Sequence, residues 1–298
     1  MTGANKTILF VPGIRPKPPA ADHQEALNRC LLEGVRQVRP AVASQMPADL
    51  LQVVPWSFEF YRVHGDIEAD RSAINALLQK QGPTATDAAD AASTKRRFYR
   101  WLYSLADSMP LIGRMLAPEA LTLRLREIGR YFSNSDDVAI RIRLMVKEAL
   151  LQAWQENRKV MLVGHSFGSV IAYDALWELS HVDGVENMLD TFVTMGSPMG
   201  LRYVRRGLLG AGQKGTNHYP TNIRRWRNIA AIGEVTAHHP ELRVMQEEMA
   251  ADGWLEEAST HDEAINFFRG PDGLNVHKCY GYFYNHETAR VIADWWES

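Results

Sequence analysis

The sequence predicts an α/β fold, a mostly parallel central sheet flanked by helices. Three observations carry this expectation. Short apolar runs recur along the 298 residues and alternate with longer amphipathic stretches, the pattern of strands joined by helical crossovers. The runs end in Gly, Pro or Asn turn signals or lead straight into a helical pattern. With 46 % hydrophobic residues, the chain can bury a sizeable core and is not a disordered one.

The expected strands are residues 7–11, 50–55, 159–163, 191–195 and 226–231. The expected helices are 22–38, 136–156, 168–179 and 286–296. The last has Asn285 before it as an N-cap and carries Val291, Ile292 and Trp295 at helical spacing. Between Tyr61 and Ser135 no strand is expected. Helical patterns occupy 67–79, 97–108 and 119–132, and a polar Ala/Thr/Asp stretch at 82–93 reads as a mobile linker. A crossover needs far fewer residues, so the expectation is one domain over 1–298 with a helical insertion, a lid or cap, at about 62–134.

Composition narrows the function. The net charge of −2, from 33 basic and 35 acidic residues, argues against a general nucleic-acid binder. No secretory leader is evident, because the apolar run at 7–11 is short and stops at Pro12-Gly13. No run reaches the ~18 apolar residues of a membrane span. The two cysteines, Cys30 and Cys279, read as reduced thiols in a cytoplasmic protein. The near-neutral total conceals blocks. Residues 201–227 hold seven cations and no acids, whereas 234–263 hold nine acids and one base, Arg243. Such blocks are either solvated faces that pair with each other or a surface for an anionic group. The stretch from Arg97 through Arg100 and Trp101 to Leu105 mixes aromatic and cationic side chains. It suits either peripheral contact with lipid headgroups or a cap over an apolar cleft.

The strongest chemical signal is Gly164-His165-Ser166-Phe167-Gly168. It is G-x-S-x-G between a buried strand run and a helix, the setting in which the motif presents a nucleophile. A sharp strand-to-helix turn lifts the Ser166 hydroxyl clear of the sheet. Glycines two residues either side let strand and helix approach, and the helix N-terminus favours developing negative charge.

With these residues the chain resembles the α/β-hydrolase superfamily, in its serine esterase and lipase-like branch, over nearly its whole length outside the 61–135 stretch. The resemblance implies a Ser-His-acid triad in the order Ser, Asp/Glu, His. Phe10-Val11-Pro12-Gly13-Ile14 looks like the oxyanion-loop segment, with Pro12 where these enzymes usually have His. The implied oxyanion donors are the backbone N–H groups of Ile14 and Phe167. Glu234, after the strand at 226–231, stands where such esterases usually carry Asp. Asp183 and Asp190 are poorer candidates for the acid. His277 opens a string similar to the HKxxGY ending of related esterase-like sequences, with His286 as competitor. Ser197, in Gly196-Ser197-Pro198, is a weak alternative nucleophile. His165 is expected to pack behind the turn, and His238 and His239 to bond within the acid's layer.

The implied function is cleavage of a small-molecule or lipid-like carboxylic ester through an acyl-Ser166 intermediate, with no cofactor and no metal. Two alternatives share the residues: an acyltransferase or thioesterase, and a catalytically silent binding protein of the same fold. Gly210-Ala211-Gly212-Gln213-Lys214-Gly215 matches G-x-G-x-x-G but follows no strand and opens no helix, so it reads as a surface loop.

Overall fold

The structure is a computed structural model describing residues 5–94, 96, 119–235, 237 and 240–298. Its elements in chain order are β1 (Lys6–Val11), α1 (Ala20–Val38), α2 (Pro40–Ala43), β2 (Leu51–Val53), α3 (Trp56–Tyr61), α4 (Glu68–Leu78), α5 (Ala85–Ala91) and α6 (Glu119–Phe132). There follow α7 (Val138–Gln155), β3 (Lys159–His165), α8 (Gly168–His181), β4 (Leu189–Met195), α9 (Arg202–Gly207), β5 (Ile223–Ala231), α10 (Pro240–Ala251), β6 (Glu257–Ala264), α11 (Cys279–Tyr284) and α12 (His286–Glu297). These six strands form one sheet in the order β2-β1-β3-β4-β5-β6, and Arg269–Gly270 and Gly273–Leu274 pair separately as a short antiparallel hairpin. Every neighbouring pair is parallel.

A parallel sheet must be covered on both faces, and period-two alternation divides the side chains between two cores. Ile8, Phe10, Met161 and Val163 face one core with Leu27, Leu31, Phe283 and Ile292 of α1, α11 and α12. Leu9, Val11, Val160 and Leu162 face the other with Val146, Val170, Ile171 and Met245 of α7, α8 and α10. The result is three layers, helix, sheet, helix.

All five expected strands are present. The sixth, β6, lies in the acidic block at the sheet edge, and only Ala264 of its residues is buried. Its register sets Arg225 against Glu257, and Arg227 Nη2 pairs with Glu257 at 2.6 Å. The basic and acidic blocks therefore meet at this edge. The 82–93 stretch differs from its expectation. Residues 85–91 form α5, closed by a capping box in which Thr84 Oγ1 accepts from Asp87 N and Asp87 accepts from Thr84 N. Asp87 is buried and also binds Arg269 at 2.7 Å. The stretch is thus a capped helix whose buried Asp87 pairs with the part-exposed Arg269, rather than the linker its polarity suggested. The 97–108 pattern lies outside the described residues. Cys30 and Cys279 are buried free thiols. Among the described residues no helix is long and apolar enough to cross a membrane.

The order of strands locates the site. From β1 the chain winds outward to β2, then returns to the other side of β1 to lay down β3. The carboxyl ends of β1 and β3 therefore flank the point where the winding reverses, and open parallel sheets bind ligands in that crevice. The loop after β1 carries Pro12-Gly13-Ile14, and the turn after β3 carries Ser166.

Candidate active site

Ser166 sits between β3 and α8 with φ of +54°. A left-handed conformation at a non-glycine residue costs of order 1–3 kcal/mol and is kept only where its surroundings enforce it. Here Ser166 N donates to Met195 O at 2.8 Å, and its carbonyl accepts from Ser169 N at 3.0 Å and Ser169 Oγ at 2.6 Å. The two motif glycines are sterically required. A Cβ on Gly164 would lie 2.5 Å from Ser169 Cα, and one on Gly168 would lie 2.1 Å from Val11 O. The turn thus brings α8 against β3 and β1 at once. Ser197 is buried, and its hydroxyl is held 2.7 Å from Ser169 Oγ. It braces the turn and is not presented as a nucleophile.

Ser166, His277 and Glu234, separated by 43 to 111 positions in the chain, come together. His277 Nε2 lies 2.9 Å from Ser166 Oγ. His277 Nδ1 lies 2.8 and 2.9 Å from the two oxygens of Glu234. The carboxylate is buried, whereas a third of the imidazole is exposed. With the Glu234 carboxylate against it, Nδ1 carries the proton, which leaves Nε2 to accept from the serine. The glutamate arrives from a turn after β5, where Glu234 N donates to Ala231 O at 3.0 Å. His286 instead bonds Gln37 Oε1 at 3.0 Å. Asp183 pairs with Lys147 and Asp190 with Arg225. Asp190 opens β4, whereas Met195 at its other end pairs with His165. His238 and His239 lie outside the described residues.

Four further residues shape this group, three of which, Tyr282, Trp56 and Tyr61, sequence reasoning did not assign. Tyr282 OH donates to Glu234 Oε1 at 2.8 Å and accepts from Ala231 N at 3.0 Å. This orients the carboxylate from behind. Gly196, with φ of +57°, passes so close that a Cβ there would lie 2.9 Å from Glu234 Oε1 and 3.2 Å from His277 Nδ1. Trp56 of α3 donates from Nε1 to Pro12 O at 2.7 Å, and Tyr61 OH accepts from Arg15 N at 2.9 Å, so α3 clamps the loop after β1. Two of them left a trace in the sequence, Tyr282 as part of the string after His277 and Gly196 in the Gly196-Ser197-Pro198 turn.

His165 does pack behind the turn. It is buried, and its ring centroid is 4.9 Å from that of His277. Its Nε2 donates to the His277 carbonyl at 2.8 Å. Burial, and secondarily the neighbouring His277, holds its pKa well below the ordinary histidine value. His165 is therefore a neutral donor that fixes the backbone of His277.

The two expected oxyanion residues flank Ser166. Phe167 follows it at the start of α8. Gly13 presses against it, a Cβ there falling 2.8 Å from Ser166 Cβ, and Ile14 comes next. Neither the Ile14 nor the Phe167 N–H has an acceptor among the described residues. Free amides at a helix start beside a hydroxyl are placed to receive negative charge. The Phe167 ring packs edge-on against Tyr131 and Phe132, with centroids at 5.2 and 5.9 Å, and Phe132 continues to Tyr203 at 6.1 Å. The C-terminal end of α6 thus builds an aromatic wall beside the site.

Compared with known proteins, the chain matches no family model, no curated protein and no solved structure.

Proposed function

We propose that the protein is a serine hydrolase that cleaves carboxylic esters, with Ser166 as nucleophile, His277 as general base and then acid, and Glu234 as the orienting carboxylate. The observation that supports it most is the continuous hydrogen-bond path from Ser166 Oγ through both imidazole nitrogens to a buried carboxylate, starting at a strained strand-to-helix turn. Chance packing rarely meets all these constraints together.

In this reading Ser166 Oγ attacks the ester carbonyl carbon while His277 Nε2 takes its proton. The carbonyl oxygen becomes an oxyanion and is received by the Phe167 and Ile14 N–H groups, each such donor being worth about 2.7–4 kcal/mol. The tetrahedral species collapses, the C–O bond to the alcohol breaks, and His277 returns the proton to the departing oxygen. Water then attacks the acyl-Ser166 ester by the same proton route and releases the acid and the free serine. Glu234 holds the imidazole tautomer and balances imidazolium charge at both transition states.

The remaining sequence expectations join the proposal: an α/β-hydrolase fold, and a cap formed by the 62–134 insertion. Two contacts support the cap. A Cβ on Gly233, beside Glu234, would lie 2.3 Å from Ala91 O at the end of α5. At the other end of the insertion, Tyr131 and Phe132 pack on Phe167. Both described ends of the insertion border the site, and the aromatic wall favours an ester with an apolar acyl group.

The test is labelling with a fluorophosphonate probe, together with turnover of short and long p-nitrophenyl esters. The expected result is one adduct, on Ser166, and hydrolysis that disappears in Ser166→Ala. A folded protein with neither adduct nor turnover overturns the reading in favour of a silent binding protein.

A further inference from the structure

Behind the loop that carries Ile14 lies a second cavity, of about 220 Å³. It is lined by Pro12, Lys17, His23, Ser57, Phe58 and Met145 among others, and Ser166, His277 and Glu234 do not border it. The loop itself is the partition, since Gly13 abuts Ser166 while Pro12 and Lys17 face the cavity.

His23 is only 1 % exposed, and its Nδ1 has no hydrogen-bond partner among the described residues. Its other nitrogen, Nε2, lies 3.9 Å from Cys279 Sγ. Burial raises the Cys279 pKa, so the group stays a thiol, and burial lowers that of His23 to about 3, so the imidazole is neutral. When the Cys279 S–H donates to Nε2, Nδ1 is the protonated nitrogen. A buried N–H donor without an acceptor costs about 1–3 kcal/mol, and His23 is part of the cavity wall. Lys17 supplies a second donor beside it. Among the described residues its Nζ reaches one acceptor, Ile14 O at 2.7 Å, although an ammonium carries three N–H groups. Ala20 also borders the cavity and opens α1, a helix whose N-cap, Pro19, provides no side-chain cap. The Glu59 carboxylate borders the cavity as well, but it is engaged by Arg62 at 2.6 Å and Arg141 at 2.7 Å. Of the other lining residues Ser57 and His64 are polar, and Pro12, Pro18, Val53, Pro55, Phe58 and Met145 are apolar.

We propose that this cavity is a binding site for a short-chain monocarboxylate, its oxygens taken by Lys17 Nζ and His23 Nδ1 and its alkyl chain lying against Phe58 and Met145. Unfilled donors on one side call for an acceptor-only head group, and the apolar walls call for a hydrocarbon tail. A volume below the usual 300–1,000 Å³ of drug-sized pockets keeps the ligand small. Lys17 ties this cavity to the oxyanion loop through Ile14 O. An occupant that draws the ammonium away therefore acts on the Ile14 N–H side of the partition. If the proposed hydrolysis holds, the acid product is itself a ligand of this class and would modulate the rate from here.

The experiment is a calorimetric titration of hexanoate into the full chain, repeated with Ser166→Ala/His277→Ala, Lys17→Met and Met145→Trp, each first checked for folding by circular dichroism. Saturable binding that persists in the Ser166/His277 variant and weakens at least tenfold in Lys17→Met is the expected result. Met145→Trp, which adds bulk to the cavity lining, serves the same purpose if Lys17→Met does not fold. No saturable binding to the folded wild type overturns the site. So does binding lost in the Ser166/His277 variant but kept in Lys17→Met or Met145→Trp, which would place hexanoate at Ser166. Because binding is read without turnover, its failure is separate from any failure of the hydrolase reading.

Discussion

Two buried carboxylates in this molecule have nearly the same hydrogen-bond shell and opposite uses. Glu234 accepts from Tyr282 OH at 2.8 Å and from His277 Nδ1. Asp174, on α8, accepts from Tyr131 OH at 2.8 Å and from Leu209 N at 2.9 Å. In each case a tyrosine hydroxyl and one N–H donor surround a carboxylate inside the protein. The difference is what lies beyond the N–H donor. For Asp174 it is backbone, and the path ends there. For Glu234 it is an imidazole whose second nitrogen reaches a serine hydroxyl at a crevice of the sheet. The same acid is therefore a brace in one place and one end of a proton path in the other. Residue type does not decide between the two uses, but the titratable, part-exposed partner does.

The largest effect should come from breaking the far end of the Glu234 path. Ser166→Ala and His277→Ala should each lower ester kcat/KM by at least about 10³-fold, and the double variant should be hardly worse than either single one, because the two residues act as a unit. Steady-state kinetics on a p-nitrophenyl ester measures this. Additive losses would mean that the pair does not act as a unit. Glu234→Gln should come next, at about 10³-fold. It removes the charge that balances imidazolium and turns one of the two oxygens facing Nδ1 into a donor.

Tyr282→Phe sharpens the comparison on a smaller scale. A hydrogen bond to a charged group is worth about 1.5–3 kcal/mol. Losing the bond frees the Glu234 carboxylate to turn away from Nδ1, and the misplaced imidazole should lower kcat/KM by roughly tenfold. The informative readout is the split between kcat and KM. A positioning role lowers kcat and leaves KM nearly unchanged, whereas a tyrosine that only packs would lower Tm and leave kcat per folded protein unchanged.

How much of this was legible in the sequence depends on the range of each contact. The turn at Ser166 was legible because its requirements lie within five consecutive residues. Glu234 and His277 followed from the chain order that the hydrolase resemblance implies, Glu234 from its place after the strand at 226–231 and His277 from its place before the terminal helix. Tyr282 was not assigned because its partner lies 48 positions away and aromatic residues near a C-terminus are usually core. Strand β6 was missed because an edge strand rich in Glu and Asp lacks the apolar alternation that marks a strand, and its pairing is supplied by β5. The α5 helix did carry its signal, Thr84 three residues before Asp87, but low hydrophobicity outweighed it. Its order comes from Arg269, some 180 residues on, which no local pattern reveals.

Asp174 offers the subtlest test of the comparison, through stability. Burial, opposed by its bonds from Leu209 N and Tyr131, raises its pKa from 3.8 to about 7. The folded state therefore holds a proton that the unfolded state releases above pH 3.8. The resulting stabilisation is present in full below about pH 3.8 and is lost as the pH rises through about 7. Thermal unfolding followed between pH 4 and 8 should show this loss as a falling contribution to Tm across that window. Asp174→Asn keeps the shape but cannot ionise, so its Tm should fall less across the same window and exceed the wild-type trend most at pH 8. Ester turnover, normalised to folded protein, should be nearly unchanged, because no proton leaves Asp174 for the site. A Tm difference between the two proteins that stays constant with pH would mean that Asp174 is charged throughout, and that its shell resembles that of Glu234 in use as well as in form.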